Sequence, residues 1–277
     1  MSKSDKLSRL AAISAELAEN PARIYSLTYF CQRFELAKST ISEDIALIDQ
    51  AFRENEFGQI ASFAGAAGGV CYMPSASINR HRDMLQQLAE QLMAPRRQLA
   101  GGFVFYSDLI SNPTVASAIG RLFAGIFSSC QPNCVLTLET KGIPIALFTA
   151  HYLNCPLLVA RRNNRVTEGP TMSTNYLTGS ARRIETMFLP RRSLTADSRV
   201  LVVDDFMKAG GAARGLAQLA GEFDAVVVGT GVMVATREPA QKLVSDYIAL
   251  LELDLSQEGQ THARIVWGDK NEQKTSD

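Results

Sequence analysis

The chain has 277 residues, room for about two domains, and its 46% hydrophobic and 20% charged content is that of a globular protein, which excludes a wholly disordered chain. Twenty-eight basic side chains balance 28 acidic ones, so net charge neither demands nor forbids an anionic partner. Five cysteines without zinc-like spacing and three scattered histidines point away from a metal centre, while the lack of a membrane-length apolar run or a signal-peptide core implies a cytoplasmic protein.

Leu7, Leu10, Ile13 and Leu17 recur on one face of a first helix. Ser26 can cap a short second helix whose apolar residues are Leu27, Phe30 and Phe34. After a break over 35–39, Thr40-Ile41-Ser42-Glu43 has the form of a capping box, Thr40 bonding forward and Glu43 reaching back. Ile41, Ile45, Ile48 and Phe52 then line one face of a third helix. Two short helices around a tight turn are the helix-turn-helix pattern. Extended runs at 60–63 and 70–73, joined by small residues, predict a hairpin where a winged helix has its wing.

Residues 1–75 are therefore expected to form a winged helix-turn-helix that binds double-stranded DNA. The start of the third helix would meet the duplex through Lys38, Ser39, Thr40 and Ser42. Arg33 would stand near a phosphate, Gly68 and Gly69 would let the wing backbone approach closely, and Lys3, Lys6 and Arg9 would add backbone contacts. The charge balance opposes this. Residues 1–80 carry eight basic and nine acidic side chains, with Glu43, Asp44 and Asp49 on the third helix itself. A dimerisation or packing module fits the same pattern.

From residue 76 to 277, apolar strand patterns alternate with helical ones, which predicts an α/β domain with a parallel sheet flanked by helices. Helices are expected at 78–93, 113–129, 144–152, 212–219 and 239–247. Strands are expected at 103–106, 135–138, 156–160, 182–189, 200–203, 225–234 and 249–253, with a charged, frayed tail from 268. Phe103, Phe105 and Tyr106, after Gly101-Gly102, read as core, with base stacking as the alternative. The polar stretch 161–180 carries Arg161, Arg162 and Arg165, with Arg182 and Arg183 following. It is expected to be a lid over a multiply charged ligand, or else a set of solvated surface charges.

The most informative stretch is Val200-Leu201-Val202-Val203-Asp204-Asp205-Phe206-Met207-Lys208-Ala209-Gly210-Gly211-Ala212. A buried strand ends in two acids and feeds a helix through a Gly-bearing turn. Backbone amides and the positive end of the helix dipole suit a phosphate there. The acids repel a phosphate and suit sugar hydroxyls or a divalent cation. Together these groups fit a ribose 5-phosphate.

The stretch resembles the phosphoribosyl pyrophosphate (PRPP) motif of type I phosphoribosyltransferases. That resemblance implies that Asp204 and Asp205 bind the ribose hydroxyls, that Phe206 and Met207 belong to the same ligand-binding stretch, and that Lys208, Ala209, Gly210, Gly211 and Ala212 wrap the 5-phosphate. It further implies that Thr140, Lys141 and Gly142, between a strand and a helix opened by Pro144, form the pyrophosphate corner. Two departures stand out: Ala209 and Ala212 lack the hydroxyls usual in working enzymes, and Lys208 stands where 6-oxopurine transferases place an Asp.

The head, the hairpin tip 64–70, Glu139-Thr140-Lys141-Gly142-Ile143-Pro144, Asn164-Arg165-Val166-Thr167-Glu168-Gly169 and the acid-pair loop occur together in this order. Over nearly the whole chain this resembles the purine operon repressors of Gram-positive bacteria. The resemblance implies a homodimeric repressor of purine synthesis and salvage genes, released from its operator by PRPP with Mg²⁺ able to accompany it. Guanosine tetraphosphate or pentaphosphate would compete at the same site, and no resident cofactor or catalytic residue is expected. The alternatives are an active purine phosphoribosyltransferase (xanthine- or adenine-type) with an added head, and a scaffold that keeps the ligand fold without binding DNA.

Overall fold

Amphipathic periodicity in the first part of the chain produces three helices, α1 (Lys3–Glu19), α2 (Leu27–Phe34) and α3 (Lys38–Glu54), followed by the antiparallel hairpin of β1 (Gly58–Phe63) and β2 (Gly69–Pro74). The structure, a computed structural model, describes residues 3–65, 68–100, 103–164, 166–178, 183–255 and 261–267. Ile13, Leu17, Phe30, Ile41, Ile45, Ile48 and Ile60 meet in one apolar core. Ser26 caps α2 by accepting the Tyr29 amide at 3.2 Å. Tyr25 and Val70 exchange backbone hydrogen bonds of 2.9 and 2.8 Å, adding a one-residue third strand to the hairpin. Inside this module Arg9 donates to Asp44 at 2.6 Å, with only 5% and 1% of the two side chains exposed.

The third helix starts earlier than its sequence implies. Lys38 and Ser39 are already helical, Ala37 is the extended residue before them, and no side chain caps the turn. Ile41 donates back to the Ala37 carbonyl at 3.2 Å. Thr40 is thus inside the first turn and the capping box does not form. The consequence is a helix N-terminus whose first amides have no side-chain cap.

The body begins with α4 (Ile78–Met93), then the short antiparallel pair β3 (Gln98–Leu99) and β4 (Phe103–Val104), α5 (Ser107–Ile110) and α6 (Pro113–Phe127). Next come β5 (Cys134–Leu138), α7 (Ile143–Leu153), β6 (Leu157–Ala160), the hairpin β7 (Thr171–Leu177) and β8 (Ile184–Pro190), β9 (Arg199–Met207) and α8 (Gly211–Gly221). The chain closes with β10 (Val226–Thr236), β11 (Ile248–Asp254) and β12 (His262–Ile265). The main sheet has the order β12-β11-β10-β9-β5-β6, parallel except for β12. Both faces are covered. Leu201 and Val203 of β9 pack with α4, α6 and α7, while Val200 and Val202 pack with α8 and the β7–β8 hairpin. No described helix is long and apolar enough to cross a membrane.

Four expectations need correction. The run 103–106 is not a sheet strand: only Phe103–Val104 is extended, paired with β3. Within the supposed lid, Thr171–Leu177 is a strand in register with β8, because seven residue pairs supply its backbone partners. Residues 239–247 are bends and irregular backbone instead of a helix; the Leu243 amide donates to Ala209 at 2.8 Å rather than four residues back. His262–Ile265, unassigned from the sequence, adds an antiparallel edge strand. Arg165, Arg182, Gly101, Gly102, Ala66, Ala67, Gly179, Ser180 and the tail from 268 lie outside the described residues.

The buried Arg9–Asp44 pair yields a stability prediction. Asp44→Ala strands a buried guanidinium and should cost about 3–5 kcal/mol, whereas replacing both residues with apolar ones of similar volume should cost much less. Denaturant melts of the full chain measure both. Equal losses would show that the charges are not coupled.

Candidate functional site

Alternation along β9 decides where its two acids point. Asp204 follows Val202 toward the α8 layer, and Asp205 follows Val203 toward the opposite one. Both are buried at the carboxyl end of the sheet. Asp205 accepts a hydrogen bond from the Tyr106 hydroxyl at 2.6 Å, and its own amide donates to Asp204 Oδ1 at 2.9 Å. Burial, with Asp205 beside it, raises the Asp204 carboxyl well above the usual carboxylate range. The Tyr106 hydroxyl is likewise pushed up by burial and by the neighbouring Asp205, so it stays a donor. Two adjacent carboxylates in a dry corner call for hydroxyl donors or a cation.

The turn after β9 is anchored through its carbonyls. Lys208 O accepts from Thr236 Oγ1 at 3.3 Å, Ala209 O from the Leu243 amide at 2.8 Å, and Gly210 O from Arg214 in α8 at 2.9 Å. Because a trans peptide sets N–H opposite C=O, carbonyls tied outward turn the amides of Ala209 and Gly210 the other way. Gly210 makes this possible with φ 84°, a left-handed conformation that strains other residues. The N-terminus of α8 has no side-chain cap, so helix dipole and amides face one point together.

These groups line a cavity of about 410 Å³. Of the residues predicted from sequence, Lys141, Asp204, Phe206, Met207, Lys208, Ala209, Gly210, Gly211 and Ala212 line it. Thr140, Gly142 and Asp205 do not. Thr140 is exposed on the cis Glu139–Thr140 peptide. Gly142 is buried where a Cβ would lie 2.5 Å from Thr137 Oγ1 and 2.9 Å from Asp204 Oδ1, so any side chain would displace the acid. Asp205 sits beneath Tyr106.

The opposite wall is an aromatic shelf. Val104 and Tyr106 point inward, while Phe103 and Phe105 are 57% and 46% exposed and line the cavity. Reading Phe103 and Phe105 as core is therefore wrong, and four consecutive large apolar residues at 103–106 give no periodic signal that could separate the buried pair from the exposed one. Tyr106 stacks on Phe206 with centroids 5.7 Å apart, and the Lys141 ammonium lies 4.3 Å from its ring centroid. Buried Arg97 braces the shelf, donating to both carboxylate oxygens of Asp108 at 2.6 and 2.8 Å and to the Phe105 carbonyl at 3.1 Å. Among the described arginines of the polar stretch, Arg161 pairs with Glu139 and Glu168, and Arg162 pairs with Glu185.

On the head, Lys38, Ser39 and Ser42 are exposed at the uncapped start of α3 and Thr40 is half-buried. The acids that weighed against this face largely point elsewhere. Asp44 is buried against Arg9, and Asp49 accepts the Ile60 amide at 2.6 Å. Two expected contacts are otherwise engaged. Arg9 is buried, and Arg33 donates to the Glu16 carboxylate. Gly68 and Gly69 answer an internal demand: a Cβ on Gly69 would strike the Tyr25 carbonyl, and one on Gly68 the Phe63 carbonyl.

A family profile for the bacterial purine repressor N-terminal domain matches residues 5–74, and one for the phosphoribosyl transferase domain matches residues 106–263. Over 245 residues the chain is 43% identical to the purine biosynthesis transcriptional repressor PurR of Bacillus subtilis (strain 168), spanning 88% of this chain and 86% of that one. The chain belongs to the PurR family of purine biosynthesis transcriptional regulators. A second member, the purine biosynthesis transcriptional activator PurR of Lactococcus lactis subsp. lactis (strain IL1403), is 37% identical over 246 residues, covering 89% of this chain and 91% of that protein. One architecture thus carries relatives named for opposite outputs. An adenine phosphoribosyltransferase from Thermoanaerobacter pseudethanolicus matches with a TM-score of 0.52 at 15% identity, over 61% of this chain and 99% of that one, which shows a shared fold.

The raised Asp204 carboxyl makes this regulator's stability depend on pH. Its folded form holds the proton to a higher pH than the unfolded chain does, so ligand-free stability falls as pH rises from the ordinary carboxylate range through the raised value. Asp204→Asn keeps the oxygen that accepts the Asp205 amide and removes the titration. The variant should melt higher than the parent at neutral pH, with the gap closing below the ordinary carboxylate range. An unchanged or lower Tm at neutral pH would contradict the assignment.

Proposed function

We propose that this chain is a DNA-binding repressor of purine synthesis and salvage genes whose transferase-like body senses PRPP without turning it over. One observation carries the reading: Asp204 of the buried acid pair lines one cavity with the Lys208–Ala212 turn and the uncapped start of α8, in a chain whose head presents an uncapped helix start beside Lys38 and Ser39. The acids suit ribose hydroxyls, and the cradle at Ala209 and Gly210 suits the 5-phosphate. Lys141 at the rim would balance diphosphate charge, with Thr140 and Gly142 shaping that corner. Mg²⁺ would enter as the counter-ion PRPP brings, with the acid pair as its nearest protein neighbours. The shelf of Phe103 and Phe105 leaves room for a base, so guanosine tetraphosphate or pentaphosphate would compete for the same cavity.

Repression is the output proposed because the more similar of the two relatives is named a repressor. Lys208, Ala209 and Ala212 disfavour turnover, since they offer neither an acid for the base proton nor hydroxyls for the loop. The rival reading, an active xanthine- or adenine-type transferase, shares the cavity and differs only in making product. A homodimer would present two heads to paired half-sites. PRPP can release DNA only if the DNA-competent state binds it less well.

Two sets of variants test the modules separately. Asp204→Ala and Asp205→Ala should bind operator duplex normally and fail to release it with PRPP, as read by fluorescence anisotropy. Normal release by both would place the sensing site elsewhere. Lys38→Ala should weaken operator binding and flatten its salt dependence by about one unit of slope, with PRPP affinity unchanged. Nucleotide formation from PRPP and a purine base, assayed in parallel, would establish the enzyme instead.

A further inference from the structure

A second cationic cluster lies away from the effector cavity, where the head meets the body. It faces an open groove of about 760 Å³. Arg80 and His81 reach it from the first turn of α4, Thr114, Ser117 and Arg121 from α6, and Phe148 from α7. No lining residue is acidic.

The guanidiniums have weak partners. Arg80 donates to the Asn55 carbonyl at 3.2 Å and lies 4.1 Å from the Phe57 ring centroid. Arg121 donates to the Tyr152 hydroxyl at 3.1 Å, and that hydroxyl is 2.8 Å from Ser117 Oγ. A carbonyl and a phenol thus occupy positions where a counter-ion would serve better. His81 is 6% exposed, and its Nε2 has no hydrogen-bond partner. Burial, with Arg80 and Arg121 beside it, pushes its imidazole down to about 4 and so keeps it neutral. A buried unpartnered nitrogen between two like charges is a costly arrangement. An oxyanion in the groove would relieve the repulsion between the two guanidiniums.

The donor set indicates which anion. Two forked guanidiniums and the hydroxyls of Thr114 and Ser117 suit a compact tetrahedral oxyanion. Duplex DNA fits less well. Asn55 is the C-cap of α3, whereas the proposed DNA-facing start is at Lys38, 17 helical residues away, or roughly 25 Å at the helical rise. We infer that the groove is a second anion site, separate from the sugar-phosphate cavity, taking inorganic phosphate or a small phosphomonoester. Its occupant would touch α4, α6 and the residue that holds the end of α3.

Ring NMR on the full chain tests this, since it has only three histidines and His262, on edge strand β12, serves as the internal control. Inorganic phosphate titrated at constant ionic strength should move the His81 resonances saturably, while chloride should not. The movement should vanish in the Arg80→Gln/Arg121→Gln double variant and persist at reduced affinity in the Arg80→Lys/Arg121→Lys pair. If the glutamine variant is unfolded, the lysine pair decides: weakened saturation supports the site, and wild-type affinity rejects it. No saturable His81 movement, equal movement with chloride, or full movement in a folded glutamine variant would overturn the proposal. Movement caused by an operator duplex but not by phosphate would overturn the small-anion assignment.

Discussion

Two carboxylates at consecutive positions on a buried strand end are the constraint around which the body is arranged. In an ordinary fold, Asp204 and Asp205 would be a liability, since both are buried and Asp205 raises the cost of ionising Asp204. The structure manages them asymmetrically. Asp205 is pinned by Tyr106, 99 residues earlier in the chain, while Asp204 opens onto the cavity and is left with the Asp205 amide as its donor. A site prepared this way is relieved only by a ligand that brings hydroxyls or positive charge. That is the chemical demand a sugar with free hydroxyls meets.

The neighbouring elements serve the same corner. Gly142 must be glycine because Asp204 and Thr137 fill the space of its Cβ. Thr236 at the end of β10 and Leu243 beyond it hold the phosphate-type turn by its carbonyls, which orients the turn's amides before any ligand arrives. Arg97, buried and paired with Asp108, stiffens the aromatic wall. Such preorganisation lowers the ordering cost of binding. In the head, the same economy appears as inward-turned acids: Asp44 and Asp49 complete the scaffold of α3 and leave its leading edge to Lys38 and Ser39.

What the sequence made legible follows from physics that is local. The α4 helix, β5 and β9 were readable because their apolar periods reflect burial on one stripe or on two faces. The acid-pair loop was readable because strand, acids and glycines are contiguous. Long-range partners were not. β7, with the sequence TMSTNYL, has a polar outer side and becomes a strand only through β8 and through Tyr176 packing on Gly215. The 239–247 segment has helical spacing, yet its backbone is claimed by Ala209. The charge count of the head misled because a sum over residues cannot show that Arg9 and Asp44 cancel inside the core. The Thr40 box failed because Lys38 and Ser39 were free to continue the helix backwards.

The proposed function requires the cavity at Asp204 and the exposed start of α3 to report on one equilibrium. Calorimetric titration of PRPP into the free protein and into protein saturated with operator duplex tests it most directly. Coupling requires PRPP to bind the DNA complex more weakly, by the same factor by which PRPP weakens the operator. Identical PRPP affinity in the two titrations would contradict the claim.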